Sequence, residues 1–396
     1  MKTNLRELPP LVRIVLVLTL VATIGGTQIF GFRIVGLAWF IPLVFSLVVL
    51  SENFSRHIAF PVKIWVMWGL FVIIHMVLSD AVHSLQRSVM LLVPIVVGVA
   101  VSSLKITDHH LFVFEKQYTR MSIIFFVIAL FKAGVLTSLQ LPTTGALAAE
   151  IMTGAMLCCL FAASYALGNA RALFSWIMLS IIPVITLTRA GMVVTGLSFT
   201  LTFSPLKLWK RVLSFLAVLA AGIAIFYSDR VQKIMFFSGS GVLADMSLSN
   251  PNFATSGRVY IWSLLQEGVG EAPWFGHGAN VSEELISFYI PGLAHPHNDW
   301  LRFQYDYGYV GVSIFSVCVV WQIVDAWLMA RKSSGRAKVL FYAAASSFPV
   351  FMLFMLTDNI VLYAAFFGNF QFTLLGLAYS SHYHHSKEGK ISQTGD

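Results

Sequence analysis

The sequence predicts an all-α, polytopic membrane protein: about twelve transmembrane helices and one long loop on the outer side containing short helices. Three observations predict that fold class. Charged residues make up 11% of the 396 and hydrophobic residues 57%, with a mean hydropathy of +0.78, whereas soluble domains are roughly a quarter charged. Apolar runs long enough to cross a hydrocarbon core of roughly 30 Å recur along the chain. The basic residues fall in short clusters between those runs, not in a stripe with interleaved aromatics. The net charge of +8 therefore points to membrane orientation and argues against nucleic acid as a partner.

The apolar runs lie near 12–30, 34–50, 62–79, 88–104, 120–137, 146–167, 172–187, 190–205, 211–228, 307–330, 339–356 and 360–380. The first follows Lys2, Arg6 and Arg13 like a signal peptide, but no small-residue cleavage site follows, so it reads as the first helix. The seventh and eighth are short and separated at Thr188-Arg189-Ala190-Gly191. Cys158, Cys159 and Cys318 all sit inside apolar runs, which suits small packing residues and neither a disulfide framework nor metal spacing. The expected organisation is helices one to nine over 1–228, a loop over 229–305, helices ten to twelve over 306–380, and a tail over 381–396 carrying His382, His384 and His385 into solvent.

With the N-terminus in the cytoplasm, only Arg33, Arg87, Lys132, Arg189, Arg230, Lys233, Arg258 and Arg302 fall on the outer side or within spans, leaving 18 of the 26 basic residues inside. This asymmetry predicts both termini in the cytoplasm, the long loop outside, and an even number of spans. A loop of that length among tight turns is usually functional.

Three places on the outer side carry chemistry. Arg189 stands at the apex between two short spans, where a costly arginine faces a cavity, a partner or headgroups. In Thr255-Ser256-Gly257-Arg258, Thr255 or Ser256 is expected to cap a short helix with an apolar face of Val259, Ile261, Trp262, Leu264 and Leu265. Such a helix would lie on the membrane surface with a free N-terminus beside Arg258, suited to phosphate or to lipid headgroups. In His295-Pro296-His297-Asn298-Asp299, Asn298 or Asp299 is expected to cap the tenth helix, placing a neutral, proton-accepting His297 just ahead of it. A plain capping turn and a metal site of His295, His297 and Asp299 are the other readings of this segment. No acidic pair elsewhere in the outer segments is expected to supply further ligands, and the first outer turn, Thr27 to Arg33, has no carboxylate.

SGRVYIW followed within one loop by HNDWLRFQYDYGYVG, with Arg189 in TLTRAGM upstream, resembles the O-antigen ligase and polymerase superfamily of GT-C-like membrane glycosyltransferases. The specific part of the resemblance is Gly257 to Gly311. It implies an inverting, metal-independent transfer without a cofactor, in O-antigen or exopolysaccharide assembly at the periplasmic face of the bacterial inner membrane. The implied donor is an undecaprenyl-pyrophosphate-linked glycan and the implied acceptor a sugar hydroxyl, on either a lipid-linked repeat unit or the lipopolysaccharide core. His297 matches the family's base, and Arg189 and Arg258 match the arginines that hold the pyrophosphate. Supporting candidates are Gly257, His295, Asn298, Asp299, Arg302, Arg87 and Asp358; Asp358 could orient His297 or cap a helix, and Arg302 could bind phosphate or pair with Asp306. His277, in a glycine turn, could shape the site. Membrane lipids are the remaining partner.

A polytopic transporter is the competing class, with Lys132 and Asp325 as coupling charges inside spans. The late position of the long loop, which does not divide two halves of six, argues against it.

Overall fold

The computed structural model describes residues 3–24, 28–29, 32–33, 38–140, 145–255 and 257–393. Apart from a two-residue β-pair, Gln28–Ile29 with Phe32–Arg33, the described chain is helical. The membrane bundle opens with α1 (Pro10–Val21), α2 (Phe40–Glu52), α3 (Val62–Leu78), α4 (Ser84–Ser102), α5 (Asp108–Ser138) and α6 (Ala148–Ala166). It continues with α7 (Arg171–Ile185), α8 (Arg189–Thr200) and α9 (Leu208–Phe226). The loop carries α10 (Asp229–Met235), α11 (Arg258–Glu271) and α12 (Val281–Tyr289), and α13 (Asp299–Lys332), α14 (Gly335–Met355) and α15 (Gly368–Gln393) return to the bundle. Each of the twelve apolar runs thus contains a helix. Six of these, α4, α5, α6, α9, α13 and α14, are long and apolar enough to cross a membrane, while α1, α2, α3 and α7 are shorter apolar helices. The polytopic membrane fold stands, but the expected lengths were too generous where polar residues or turns cut a run short.

The centre of the bundle is α6, buried along nearly its whole length and packed on α7, α8 and α14. α4 and α15 approach most closely, because a Cβ on Gly376 would lie 2.7 Å from the Gly98 carbonyl oxygen. At the margin, α9 packs on α8 and buries only Phe226; its exposed Leu208, Trp209, Val212 and Leu216 suit a lipid-facing surface. The three cysteines are free and buried, as small packing residues should be.

α13 begins at Asp299, directly after its expected cap Asn298, and so includes the last residues of the stretch 229–305. Two expectations need correction. The expected tail continues α15: His382 Nδ1 lies 2.8 Å from Ser333 Oγ, and His385 Nε2 lies 2.9 Å from Asp108 Oδ1. α11 does not stand alone on a surface. Its Ile261, Leu265 and Val269 form a small core with Ile286 of α12 and Leu301 and Tyr305 of α13, while Val259 and Tyr260 stay exposed.

Two features join this loop layer to the bundle. First, α13 breaks at Gly308, whose φ of 63° and ψ of −175° only glycine adopts readily. The backbone groups freed by the break are taken up by segment 273–278. His277 and Gly278 N–H donate to the Tyr305 and Asp306 carbonyls at 2.9 and 3.0 Å, and Tyr309 and Val310 N–H donate to Pro273 and Trp274 at 2.8 and 3.0 Å. His277 reinforces this by stacking on Tyr305, its Nε2 2.7 Å from the Gly268 carbonyl.

Second, a buried ion cluster lies under the start of α13. Arg302 is 3% exposed, with Glu283 and Asp306 each at 3.5 Å and Asp299 at 3.9 Å. Arg87 of α4 reaches the same Glu283 at 3.0 Å, and His295 Nδ1 stands 3.3 Å from it. Asp306 also caps α12, accepting from Ser282 N–H at 2.9 Å and its hydroxyl at 3.1 Å. Burial alone would raise the Glu283 carboxyl, but the His295 contact and the Arg302 and Arg87 charges outweigh it and hold the group at about 2.

Gly308→Ala should unseat the loop, because a Cβ there collides with the Trp274 carbonyl; the expected outcome is a loss of folded protein, or a thermal midpoint in detergent lowered by several degrees. Glu283 gives a pH signature. Its folded value lies below its ordinary 4.5, so its contribution is complete above about pH 4.5 and lost as pH falls towards 2. Thermal unfolding should weaken across that window, and Glu283→Gln should be less stable at pH 7 and flatter between pH 4.5 and 2.

Candidate active site

The site is built on the turn between α14 and α15, residues 357–361. The chain enters α13 through Pro296 and His297, and His297 is left-handed at φ 52°, a conformation that histidine tolerates better than most residues. Asn298 is the helix cap, its side chain accepting from Leu301 N–H at 3.0 Å. Trp262 of α11 donates its indole N–H to the Pro296 carbonyl at 2.8 Å, and Asp299 Oδ2 accepts from Val361 N–H at 2.9 Å. His297 N–H donates to Asn359 Oδ1 at 2.9 Å, while its ring Nδ1 lies 3.3 Å from Asp358 Oδ1 and 3.2 Å from Asn359 Nδ2.

Arg258 starts α11 directly after Gly257, which caps the helix in a left-handed conformation (φ 77°) without a side-chain bond. Thr255 is therefore not the cap, and Ser256 lies outside the described residues. Arg258 Nη1 donates to the Thr357 carbonyl at 2.9 Å, one residue from Asp358. Burial pulls the Arg258 guanidinium below its ordinary range and the Asp358 charge opposes that shift. Arg189, the first residue of α8, donates through Nη2 to the Ala254 carbonyl at 3.2 Å and lies 5.6 Å from the centre of the Phe253 ring. The residue two before it, Leu187, is also left-handed, at φ 55°, and packs with Phe253 beside Phe226, Met235 and Phe236.

The two guanidinium groups are close enough for the Arg258 charge to act on Arg189. Among the described residues, neither lies within ion-pairing distance of a carboxylate. That separates them from Arg87 and Arg302, which are committed to the Glu283 cluster. The structure thus brings Arg258, His297 and Asp358 together around one turn, holds Arg189 on the loop at Ala254 and Phe253 within electrostatic reach of Arg258, and places Arg87, His295 and Arg302 in the ion cluster. Asp299 joins the turn to the cluster, with one oxygen on Val361 N–H and the other facing Arg302.

His295, His297 and Asp299 do not converge: they face Glu283, Asp358 and Val361 in turn. Among the described residues no group of three or more His, Cys, Asp and Glu is placed to share a metal ion. Glu283 and Glu284 stand in the first turn of α12, and Glu283 reaches His295 while pairing with Arg87 and Arg302. Sequence reasoning missed Asn359, Phe253 and the Thr357 carbonyl. Only Asn359 left a signal, as the neighbour of Asp358 in the turn TDN.

No curated protein matches the chain. Residues 173–316, from α7 through the loop to the break in α13, match the family model described as O-antigen ligase. That stretch contains Arg189, Arg258 and His297, and over it the chain is similar to the O-antigen ligase family.

Proposed function

We propose that the protein is an inverting glycosyltransferase that moves a glycan from an undecaprenyl pyrophosphate onto a sugar hydroxyl at the periplasmic face of the inner membrane. The observation that carries this reading is the pair of half-buried arginines without carboxylate partners, beside an imidazole that faces a carboxylate. Partly desolvated cations with no carboxylate at ion-pairing distance suit an anionic ligand, and a diphosphate supplies one. The family match supports the ligase or polymerase class.

In this scheme Asp358 holds the His297 proton on Nδ1, leaving the Nε2 lone pair to accept a proton. The acceptor hydroxyl oxygen attacks the anomeric carbon as its proton passes to Nε2, and the bond from that carbon to the diphosphate oxygen breaks with inversion. Negative charge grows on the departing diphosphate, and Arg189 and Arg258 stabilise it more in the transition state than in the ground state. These two charges can do what a divalent cation does in other lipid-linked transferases.

Transport is the weaker reading. The charges it would use inside the bundle have partners: Lys132 pairs with Glu150 at 2.5 Å, and Asp325 accepts from the Tyr379 hydroxyl.

Purified protein with a lipid-linked glycan donor tests the proposal. His297→Ala should lower turnover by about 10²–10⁴-fold while donor affinity stays near wild type. Arg258→Ala or Arg189→Ala should cost about 10²–10³-fold, partly in donor affinity. Wild-type turnover from His297→Ala would overturn the transferase assignment. Activity should also persist in excess chelator, and recovery dependent on one added divalent ion would overturn the metal-free scheme. Chain growth from lipid-linked repeats alone identifies a polymerase, whereas transfer only when lipopolysaccharide core is added identifies a ligase.

A further inference from the structure

Asn359 is 4% exposed and touches His297 at two points. Its Oδ1 accepts from His297 N–H at 2.9 Å, which fixes the backbone in its left-handed turn, and its Nδ2 lies 3.2 Å from ring Nδ1. Asp358 Oδ1 stands 3.3 Å from that same nitrogen and also accepts from Asn359 N–H at 2.9 Å. One ring nitrogen cannot donate to a carboxylate and accept from an amide at once, so the two contacts belong to different protonation states. With the proton on Nδ1, Asp358 is the partner and the Nε2 lone pair is free. With the proton on Nε2, Nδ1 accepts from the Asn359 amide.

We propose that Asn359 is a positioning residue: it clamps the His297 backbone and, in competition with Asp358, sets which ring nitrogen carries the proton. The inference rests on the reading of His297 as the base. The amide gives the imidazole a neutral second partner, where a second carboxylate would favour imidazolium. The charged groups acting on the ring are Asp358 from the turn and Asp299 from the start of α13, with Arg258 of α11 acting through Asp358. Asn359→Asp keeps an acceptor for His297 N–H but replaces the amide donor at Nδ1 with a carboxylate. It thereby separates the clamp from the tautomer.

The experiment compares pH–rate profiles of the purified full-length enzyme, with an undecaprenyl-pyrophosphate-linked glycan as donor. A base must be unprotonated to act, so activity falls on the acid side. Asn359→Asp stabilises the protonated ring and should move that acid limb up by roughly one pH unit, with donor KM near wild type. Asn359→Ala, which loses both contacts, should lower kcat by about 10–100-fold with a smaller change in KM. An unmoved acid limb in a folded Asn359→Asp, or wild-type kcat in Asn359→Ala, overturns the inference. His297→Ala run alongside separates the two failures. If it is inactive while the Asn359 variants behave as wild type, only this inference falls; if it is active, the reading of the base falls as well.

Discussion

Four contacts end on one short turn, and the site exists because they do. The Thr357 carbonyl takes Arg258, Asp358 and Asn359 take His297, and Val361 N–H takes Asp299. Each contacting residue comes from the loop or from the start of α13, while the turn belongs to the junction of α14 and α15, deep-packed helices of the bundle. Two of the anchors, the Thr357 carbonyl and Val361 N–H, are backbone groups with no rotamer of their own, and the other two are the short side chains of Asp358 and Asn359. The imidazole and one arginine are therefore positioned by the bundle, although neither is part of it.

The four arginines near this turn divide by partner, and the division is electrostatic. Arg87 and Arg302 share Glu283, and Arg302 also faces Asp299 and Asp306. A buried charge without such compensation costs several kcal/mol, so these two are held in structural work. Arg189 and Arg258 each give one hydrogen bond to a backbone carbonyl, with the Phe253 ring beside Arg189 and the Asp358 charge near Arg258, but neither has a carboxylate within ion-pairing distance among the described residues. A guanidinium has five N–H donors. Most of that donor capacity is not used by the contacts described.

How much of this was legible in the sequence depended on how local the cause was. Hydropathy set the helices because each run must satisfy its own backbone in lipid, and Asn298 capped α13 as a short polar residue before an apolar helix should. Arg189, Arg258 and His297 could be singled out because each breaks a local rule: a charge on the sparsely basic side, or an imidazole at a helix start. For Arg302 the local partner Asp306, four residues on, could be read, but the pairing of Arg87 and Arg302 through Glu283 was not legible, because Glu283 reaches residues 196 positions upstream and 19 downstream. The same holds for Asn359, which meets His297 across 62 residues. The Gly308 break was hidden for another reason. Its helix resumes on the far side, so apolar periodicity passes through it, and only the insertion of segment 273–278 explains why a glycine is needed.

The two arginines reach across the seam between loop and bundle in opposite directions. Arg189 is rooted in α8 of the bundle and grips the loop at Ala254 and Phe253. Arg258 is rooted in α11 of the loop and grips the bundle at Thr357. The two carry like charges on opposite sides of the seam, near enough for Arg258 to lower the Arg189 guanidinium's proton affinity, so what interaction they have is unfavourable. The loop is held down against it by apolar packing around Phe236 and Phe253, by the core around Leu265, and by the backbone bonds at the α13 break. An anion held by both guanidinium groups reverses the sign of the interaction, turning a repulsive pair into a bridge from α8 to α11. Under the proposed function, a diphosphate in this position would therefore tighten the closure of loop on bundle that brings Asp358 and Asn359 onto His297, so that donor binding and alignment of the proposed base would draw on the same contacts.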